Sequence, residues 1–176
     1  ESVKYIEIIN ETAIKTRLLL DHLLNWAKAQ TGQLSFQPEK IVLSKIIREV
    51  INLEKPISNS KNISLNYFDE DETTVCADIN MLKTILRNLL SNAIKFTSNG
   101  GEIHVFTKTK FDHVEVTISD NGIGIAEKRI EEIFNLNTST LGTANEKGSG
   151  LGLMLCKDFI ERNNGKIWVE SVEGEG

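Results

Sequence analysis

The sequence contains few of the residues that mark disulfide-rich, collagen-like or membrane-spanning proteins. Its 176 residues include only two cysteines and two prolines, and aromatic residues make up 6%. Two cysteines far apart, Cys76 and Cys156, argue against a disulfide framework and for a reducing compartment, and both are expected in the core. No apolar run reaches the roughly 20 residues of a membrane helix, because Asp21 and His22 interrupt the best candidate. We therefore expect no membrane segment, and no signal peptide at the start of the chain.

Basic residues are also in the minority. Lysine and arginine number 20 against 25 acidic residues, which gives a net charge of −5. This balance argues against nucleic acid as a partner, because neutralising phosphates requires clustered lysine and arginine. Apolar residues at 40% and charged residues at 26% are ordinary for a globular chain of about one domain or slightly more.

The first 30 residues have the periodicity of an amphipathic helix. Apolar residues recur three and four positions apart, with a polar break at Thr16, and form the seam Ile6, Ile9, Ala13, Leu20, Leu23 and Ala27. A second apolar set suits a helical bundle: Leu18, Leu19, Leu24 and Trp26. The helix either packs on its own domain or pairs with a helix upstream of Glu1 or in another subunit. Thr31, Gly32 and Pro38 are expected to end it.

After Pro38 the sequence alternates short strand-like and helical segments. Period-two or β-rich patterns predict strands over 41–43, 63–67, Thr74–Ala77, 102–110, 114–119 and 166–171. Helices are predicted over 45–54 between an N-cap at Ser44 and a stop at Pro56, over Ile79–Phe96 with Asp78 as cap, over 126–134, and over 151–163 with Gly165 as stop. The order predicts an α+β fold, a two-layer α/β sandwich with helices on one face of a mixed sheet.

The helix predicted over Ile79–Phe96 carries a polar stripe. Asn88, Asn92 and Lys95 are spaced four and three residues apart and therefore project from one face. The rest of the surface is apolar and is expected to face the core: Leu82, Ile85, Leu86, Leu89, Ala93 and Phe96. The stripe either faces water or forms part of a site. In a site, an amide oxygen would suit Mg²⁺ and a lysine would suit phosphate.

A second polar segment, Asp120-Asn121-Gly122-Ile123-Gly124-Ile125, directly follows a predicted strand. Two glycines two positions apart let the backbone come close to a flat ligand. The Asp120 carboxylate can accept a hydrogen bond from an exocyclic amine such as that of adenine. The alternative interpretation is an ordinary Asp-Asn-Gly turn.

A third segment, Lys147-Gly148-Ser149-Gly150-Leu151-Gly152-Leu153, opens the last predicted helix. Glycines at alternate positions expose backbone N–H groups and direct a helix N-terminus at an anion. The segment is neither the dinucleotide fingerprint nor the Walker loop, because no strand leads into it and no Gly-Lys-Ser/Thr ends it. Residues 135–146, rich in Asn, Thr, Ser and Gly, predict a mobile lid or a disordered segment.

Together and in this order, the three segments resemble the ATP-binding domain of sensor histidine kinases from bacterial two-component or hybrid two-component systems. This family belongs to the GHKL superfamily, with gyrase, chaperone and mismatch-repair ATPases. Residues 88–96 look like the N box, 120–124 and 148–152 like the two glycine boxes, and Ile133-Phe134 like the start of the F box. Residues 1–33 are similar to the second helix of the dimerisation and histidine phosphotransfer hairpin, and residues 36–176 to the catalytic ATP-binding domain.

The resemblance implies ATP and Mg²⁺ as cofactors. Asp120 would recognise the adenine amine, and Phe96 would contact the base. Asn92 would supply the protein oxygen to Mg²⁺ with support from Asn88, and Lys95 would meet the phosphates. The glycines of the third segment would donate backbone N–H groups to the triphosphate, with Lys147 as a lid cation. The implied ATP site also includes Gly122, Ile123, Gly124, Ile125, Phe134, Gly148, Ser149, Gly150, Leu151, Gly152 and Leu153.

The implied reaction is transfer of the γ-phosphate of Mg-ATP to a histidine, for relay to the aspartate of a response-regulator receiver domain. The chain holds no phosphoacceptor: no histidine is followed by an acidic residue, and His22 would lie on the wrong helix of the hairpin. We therefore expect ATP binding without autophosphorylation. The superfamily's ATPases carry a Glu where Asn88 stands, and an amide cannot take a proton from water. The alternatives are a GHKL-type ATPase and a nucleotide-regulated dimeric scaffold without kinase activity.

The resemblance also implies partners and a location. Besides ATP, we expect the hairpin that bears the acceptor histidine, a receiver domain, and a second copy paired through residues 1–30. The F box departs from the family's pattern, because Asn135-Leu136-Asn137 follows Phe134 without the second aromatic residue that many members carry. The sequence stops within what looks like the last glycine motif, so a longer parent protein is expected. That parent would be cytoplasmic, and the sequence leaves open whether it is anchored in the inner membrane.

Overall fold

A computed structural model describes residues 35–69, 73–135, 141–144, 146 and 150–176, together with Thr16, Leu20 and Leu24. The chain divides into two compact units, Glu1–Ser35 and Phe36–Gly176. In the first unit Thr16, Leu20 and Leu24 are helical, and the rest of the predicted N-terminal helix lies outside the described residues.

The strands of the second unit form two small sheets. In chain order the described elements are β1 (Glu39–Val42), α1 (Leu43–Ser60), β2 (Ser64–Asp69), β3 (Thr74–Ala77), α2 (Ile79–Phe96), β4 (Glu102–Thr109), β5 (Val114–Asp120), α3 (Glu127–Ile130) and α4 (Gly152–Arg162). β4 pairs in parallel with β2 and antiparallel with β5, whereas β1 and β3 form a separate antiparallel pair. The predicted α+β class with a mixed sheet is confirmed.

The core lies between the three-stranded sheet and the helices α1 and α2. Side chains alternate between the two faces of a strand, and one face of β4 is fully buried at Ile103 and Val105. The apolar faces of α1 and α2 cover these residues in one cluster. The opposite sheet face exposes Phe68, stacked on Phe106 with ring centroids 5.2 Å apart. The fold therefore has one sheet layer and one helix layer, as predicted.

The limits predicted for α1 are wrong at both ends. Ser44 is a buried residue within the helix and does not cap it. The pairing of β1 with β3 brings Thr73 close enough for its carbonyl to accept from the Leu43 N–H at 2.9 Å, so a backbone acceptor satisfies the first turn. The helix also continues through Pro56 to Ser60, because its buried face extends to Ser58.

The helices α1 and α4 end in the same backbone motif. Asn62 and Asn164 adopt left-handed conformations, with φ of 52° and 56°. The N–H of the next residue then reaches back to the last turn, Ile63 to Ser58 at 2.9 Å and Gly165 to Ile160 at 2.8 Å. The predicted stop of α4 therefore moves by one residue, because an asparagine takes the left-handed position.

Three further expectations are corrected. α3 is shorter than 126–134, because the chain continues from it as tighter turns. Residues 166–171 alternate in exposure as a strand would, but they pair with no described strand and leave Trp168 exposed. Cys76 is exposed, since its neighbours Val75 and Ala77 take the inward positions of β3. Cys156 is buried as predicted, and burial raises the pKa of its thiol to about 12.

Within the described ranges, no helix has both the length and the apolarity needed to cross a bilayer.

The N-terminus of α2 is fixed by the buried Asp78. Its Oδ1 accepts from the N–H groups of Asn80 and Met81, at 3.0 and 3.1 Å, which confirms the predicted cap. Its Oδ2 accepts from the Gln37 N–H at 3.0 Å. One carboxylate thus joins the start of α2 to the segment that leads into β1.

We expect Asp78→Ala to lower the free energy of unfolding by about 2–4 kcal/mol, because it removes the cap of α2 and the part-buried hydrogen bond from the Gln37 N–H. Urea denaturation of the whole chain measures this change. Asp112→Ala, at an exposed turn position, is the matched control and should leave the unfolding midpoint unchanged. Equal midpoints for Asp78→Ala and the wild-type chain would contradict the assignment.

Candidate functional site

The polar stripe of α2 lies on one side of the helix and is half-buried. Asn88, Asn92 and Lys95 are each intermediate in exposure, so the stripe is not a fully solvated face. The buried residues of α2 lie on its other side: Met81, Ile85, Leu86, Leu90, Ala93 and Ile94. Leu82, Leu89 and Phe96, expected in the core, are only half-buried, because the inward face of the helix is centred on Leu86 and Leu90.

The start of α4 is brought against Asn88. The Asn88 Nδ2 donates to the Thr84 carbonyl at 3.0 Å, and its Oδ1 lies 3.0 Å from where a Cβ of Gly152 would stand. Further along α4, the Cys156 Sγ approaches the Ile85 carbonyl at 3.8 Å. At its end, the Asn163 Oδ1 accepts from the backbone N–H of Asp78, the residue that caps α2. The two helices therefore run antiparallel, and the N-terminal end of α4 meets the polar stripe of α2.

The residues around the start of α4 are partly described. Gly150 has a left-handed φ of 71°, a conformation that favours glycine. Leu151 is buried and Leu153 is half-buried. The other predicted residues of this segment, Lys147, Gly148 and Ser149, lie outside the described residues.

The segment that begins at Asp120 packs on the end of α2. Asp120 is the last residue of β5, and its Oδ1 accepts from the Gly122 N–H at 3.0 Å. The Ile123 N–H donates to the Phe96 carbonyl at 3.2 Å. A Cβ on Gly122 would lie 2.5 Å from that carbonyl oxygen, so only glycine fits there. The carboxylate and the end of the polar stripe are therefore neighbours.

The second glycine of this segment is required by packing of the chain on itself. Gly124 has φ of 62°, and a Cβ there would lie 2.0 Å from the Val172 carbonyl. Ser171 Oγ accepts from the Ile125 N–H at 2.8 Å, and the Ile123 carbonyl accepts from the Gly174 N–H at 2.8 Å. The sequence predicted that these two glycines let the backbone approach a flat ligand closely. In this structure Gly122 approaches Phe96, and Gly124 approaches residues 172–176.

Two ionisable groups of the site have shifted pKa values. Burial raises the pKa of Asp120, against the opposing effect of the Gly122 N–H. Burial lowers the pKa of Lys95, and the negative charge of Glu146 partly opposes this. The Lys95 ammonium lies 4.5 Å from the centre of the Phe96 ring, a cation–π arrangement. Both charges are therefore less solvated than surface charges.

Part of the predicted lid is held at the C-terminal end of α2. The Thr143 N–H donates to the Lys95 carbonyl at 3.0 Å, and its hydroxyl lies 2.8 Å from the Thr97 carbonyl. Lys61 contacts both Thr143 and Glu146. The sequence did not point to Lys61 or Glu146, because 85 residues separate them and no local pattern joins them. Phe134 is half-buried in the turns after α3, and residues 136–140 lie outside the described residues.

The donor set suits a cation that arrives with its own ligands. Among the described residues, no group of three His, Cys, Asp or Glu side chains could hold a metal ion. Mg²⁺ bound to nucleotide keeps phosphate oxygens and several waters, so a single amide oxygen would complete its shell, the role that the resemblance implies for Asn92. The buried Thr97 hydroxyl has no hydrogen-bond partner among the described residues, and it lies next to Phe96.

Known proteins share both the sequence and the fold of this chain. Residues 77–176 match the family described as histidine kinase-, DNA gyrase B-, and HSP90-like ATPase. The adaptive-response sensory kinase SasA of Crocosphaera subtropica is 32% identical over 170 residues, which cover 95% of this chain and 44% of SasA. The chain thus spans less than half the length of this relative.

Two solved structures of the histidine kinase ThkA are similar to this chain. Its catalytic domain, in a nucleotide-free form, superposes with a TM-score of 0.70 at 32% identity and covers 80% of this chain and 92% of that one. ThkA in complex with the response regulator protein TrrA gives a TM-score of 0.74 at 28% identity, over 98% of this chain and 48% of that one. The chain therefore belongs to the histidine kinase-, DNA gyrase B- and HSP90-like ATPase family and has the fold of histidine kinase catalytic domains.

Proposed function

We propose that this chain binds Mg-ATP beside the polar stripe of α2 and transfers the γ-phosphate to a histidine of a dimerisation hairpin, for relay to a response-regulator aspartate. The supporting observation is the meeting of three segments on α2: the start of α4 at Asn88, the 142–146 region at Lys95, and the Asp120 segment at Phe96. In this proposal residues 1–33 are the second hairpin helix, which pairs with a second copy, and residues 36–176 are the catalytic domain. The similarity to ThkA, solved with a response regulator, supports the choice of partner.

The adenine end of the proposed site is Asp120. Its Oδ1 is held by the Gly122 N–H, and Oδ2 accepts no hydrogen bond from the described residues. A half-buried carboxylate with an open lone pair is a strong acceptor for the exocyclic amine of adenine. Phe96 would contact the base, and the backbone of Gly122 to Ile125 would form the wall beside it.

The phosphate end of the proposed site comprises Lys95 and the start of α4. Lys95 offers a poorly solvated ammonium, and the N-terminus of α4 offers backbone N–H groups around Gly150 and Gly152. Lys147, Gly148 and Ser149 would complete the set. Asn92 would hold Mg²⁺, which supplies charge neutralisation at the phosphates when bound.

Asn88 favours transfer to a protein acceptor over hydrolysis. Its amide cannot take a proton from water, and its Nδ2 is already engaged with the Thr84 carbonyl. Water therefore lacks an activating base at this position, and the γ-phosphate is left for a histidine placed by another helix. The place of action proposed for the parent protein is the cytoplasm.

We expect Asp120→Asn to weaken ATP binding about 5- to 150-fold, the roughly 1–3 kcal/mol of a mispaired buried hydrogen bond. The same variant should be at least as stable as the wild-type chain, because it removes a desolvated charge. Isothermal calorimetry and thermal unfolding measure the two quantities. Asp112→Asn, at an exposed turn position, is the control for both. Unchanged ATP affinity in Asp120→Asn would rule out the adenine assignment.

Acidification should weaken binding of adenosine through Asp120. The carboxylate accepts from the amine only when it is ionised, and its raised pKa means that protonation begins above the usual range of an aspartate. Affinity is therefore expected to fall on acidification at a higher pH than an ordinary aspartate would require, with proton release on binding over the same range. Calorimetry in two buffers of different ionisation enthalpy measures this. A pH-independent affinity, equal to that of Asp120→Asn, would contradict the proposal.

The chain alone should bind ATP without labelling itself. None of its histidines, His22, His104 and His113, is followed by an acidic residue. Incubation with γ-labelled ATP is expected to give no acid-labile label on this chain and slow phosphate release, and to label a separately supplied hairpin that bears an acceptor histidine. Rapid phosphate release would favour the ATPase alternative. Label on this chain that His22→Ala abolishes would overturn the assignment of residues 1–33 to the second hairpin helix.

A further inference from the structure

The ammonium of Lys61 gathers acceptors at the C-terminal end of α2. Its Nζ lies within hydrogen-bond distance of four oxygens: Ile94 O at 2.8 Å, Lys95 O at 3.3 Å, Thr143 Oγ1 at 2.8 Å and Glu146 Oε1 at 3.0 Å. The side chain is only 14% exposed. The last carbonyls of a helix have no partner within it, so Lys61, which directly follows α1, supplies donors that α2 lacks.

The Glu146 carboxylate is held from two sides. Oε1 accepts from Lys61, and Oε2 accepts from the Ala144 N–H at 2.8 Å. The Gly142 N–H donates to the Glu146 carbonyl at 2.9 Å and closes a turn formed by Gly142, Thr143, Ala144 and Glu146, which we call the 142–146 turn. Burial alone would raise the pKa of Glu146, but backbone N–H groups and Lys61 outweigh it and hold the pKa below its usual range.

The 142–146 turn packs directly on Lys95. A Cβ on Gly142 would lie 2.5 Å from Lys95 Cγ, so the turn and the lysine side chain are in close contact. The Lys95 carbonyl accepts from the Thr143 N–H, and the charge of Glu146 acts on the Lys95 ammonium. The place of Glu146 therefore sets how much negative charge Lys95 faces.

We propose that Lys61 is a positioning residue for phosphate binding: it holds the Glu146 carboxylate at the end of α2 and so limits the competition of that carboxylate with phosphate for Lys95. This inference rests on the proposed function, in which Lys95 meets the phosphates of ATP. Without Lys61, Glu146 loses its counter-charge, and Lys95 is then the described lysine whose ammonium its charge still acts on. An incoming triphosphate must then displace a carboxylate.

A positioning role and a merely structural role of Lys61 differ in which ligands they affect. A residue that only completes the end of α2 would disturb the whole site, including Asp120, which contacts the same end of α2 through the 120–124 segment. A residue that acts through Glu146 and Lys95 would affect ligands with phosphates and not adenosine.

The test compares ATP with adenosine in calorimetric titrations of four variants of the whole chain. Lys61→Met should weaken ATP binding about three- to tenfold, the scale of one partly screened charge at close range, and leave adenosine affinity unchanged. Glu146→Gln introduced into Lys61→Met should restore ATP affinity, and Lys61→Arg should keep it. Lys83→Met is the matched control, because it breaks a lysine–glutamate pair between α1 and α2 that does not involve the 142–146 turn or Lys95.

The outcomes distinguish the two proposals. Equal loss of ATP and adenosine affinity in Lys61→Met, or no loss of either, would overturn the positioning role. Failure of Glu146→Gln to restore ATP affinity would overturn the route through Glu146. A wild-type chain that binds neither ATP nor adenosine would instead overturn the proposed function itself.

Discussion

The C-terminal end of α2 is the constraint on which the site depends. A helix leaves its last carbonyls without internal partners, and they must find donors elsewhere. Here the donors come from three distant parts of the chain: Lys61 at Ile94, Thr143 at Lys95 and Thr97, and the Ile123 N–H at Phe96. Because each donor belongs to a segment of the site, completing the helix also assembles the site. The other end of α2 needs no such help, since Asp78 caps it.

Features with a local cause are the ones that the sequence predicts well. The limits of α2, Ile79–Phe96, match the prediction, because the capping Asp78 directly precedes the helix and the periodic apolar face lies within it. The limits of α1 do not match, because the acceptor for its first turn is Thr73, which only the pairing of β1 with β3 brings near. Pro56 is tolerated for a similar reason, since burial on the core outweighs a local stop signal.

The candidate site likewise has features that the sequence predicts and features that only the fold reveals. The spacing of Asn88, Asn92 and Lys95 and the order of the glycine segments can be read from the sequence, and with them the family. The roles of the glycines cannot, because Gly122 and Gly124 are fixed by the carbonyls of Phe96 and Val172, which only the fold brings close. Nor can the link from Lys61 to Glu146, because no sequence pattern joins residues 85 positions apart.

Two carboxylates, the buried Glu54 and the half-buried Asp120, show why geometry must accompany a shifted pKa. Burial raises the pKa of both Glu54 and Asp120. Glu54 lies between α1 and α2 with Arg87 3.7 Å away, which is the arrangement of a structural ion pair. Asp120 stands at the end of a strand beside a glycine turn, with one N–H on one oxygen and no cation among its described partners. The Gly122 N–H offsets the desolvation of Asp120 only in part, and no cation stands beside it as Arg87 does beside Glu54, so the geometry at Asp120 is the one that suits a ligand with a hydrogen-bond donor.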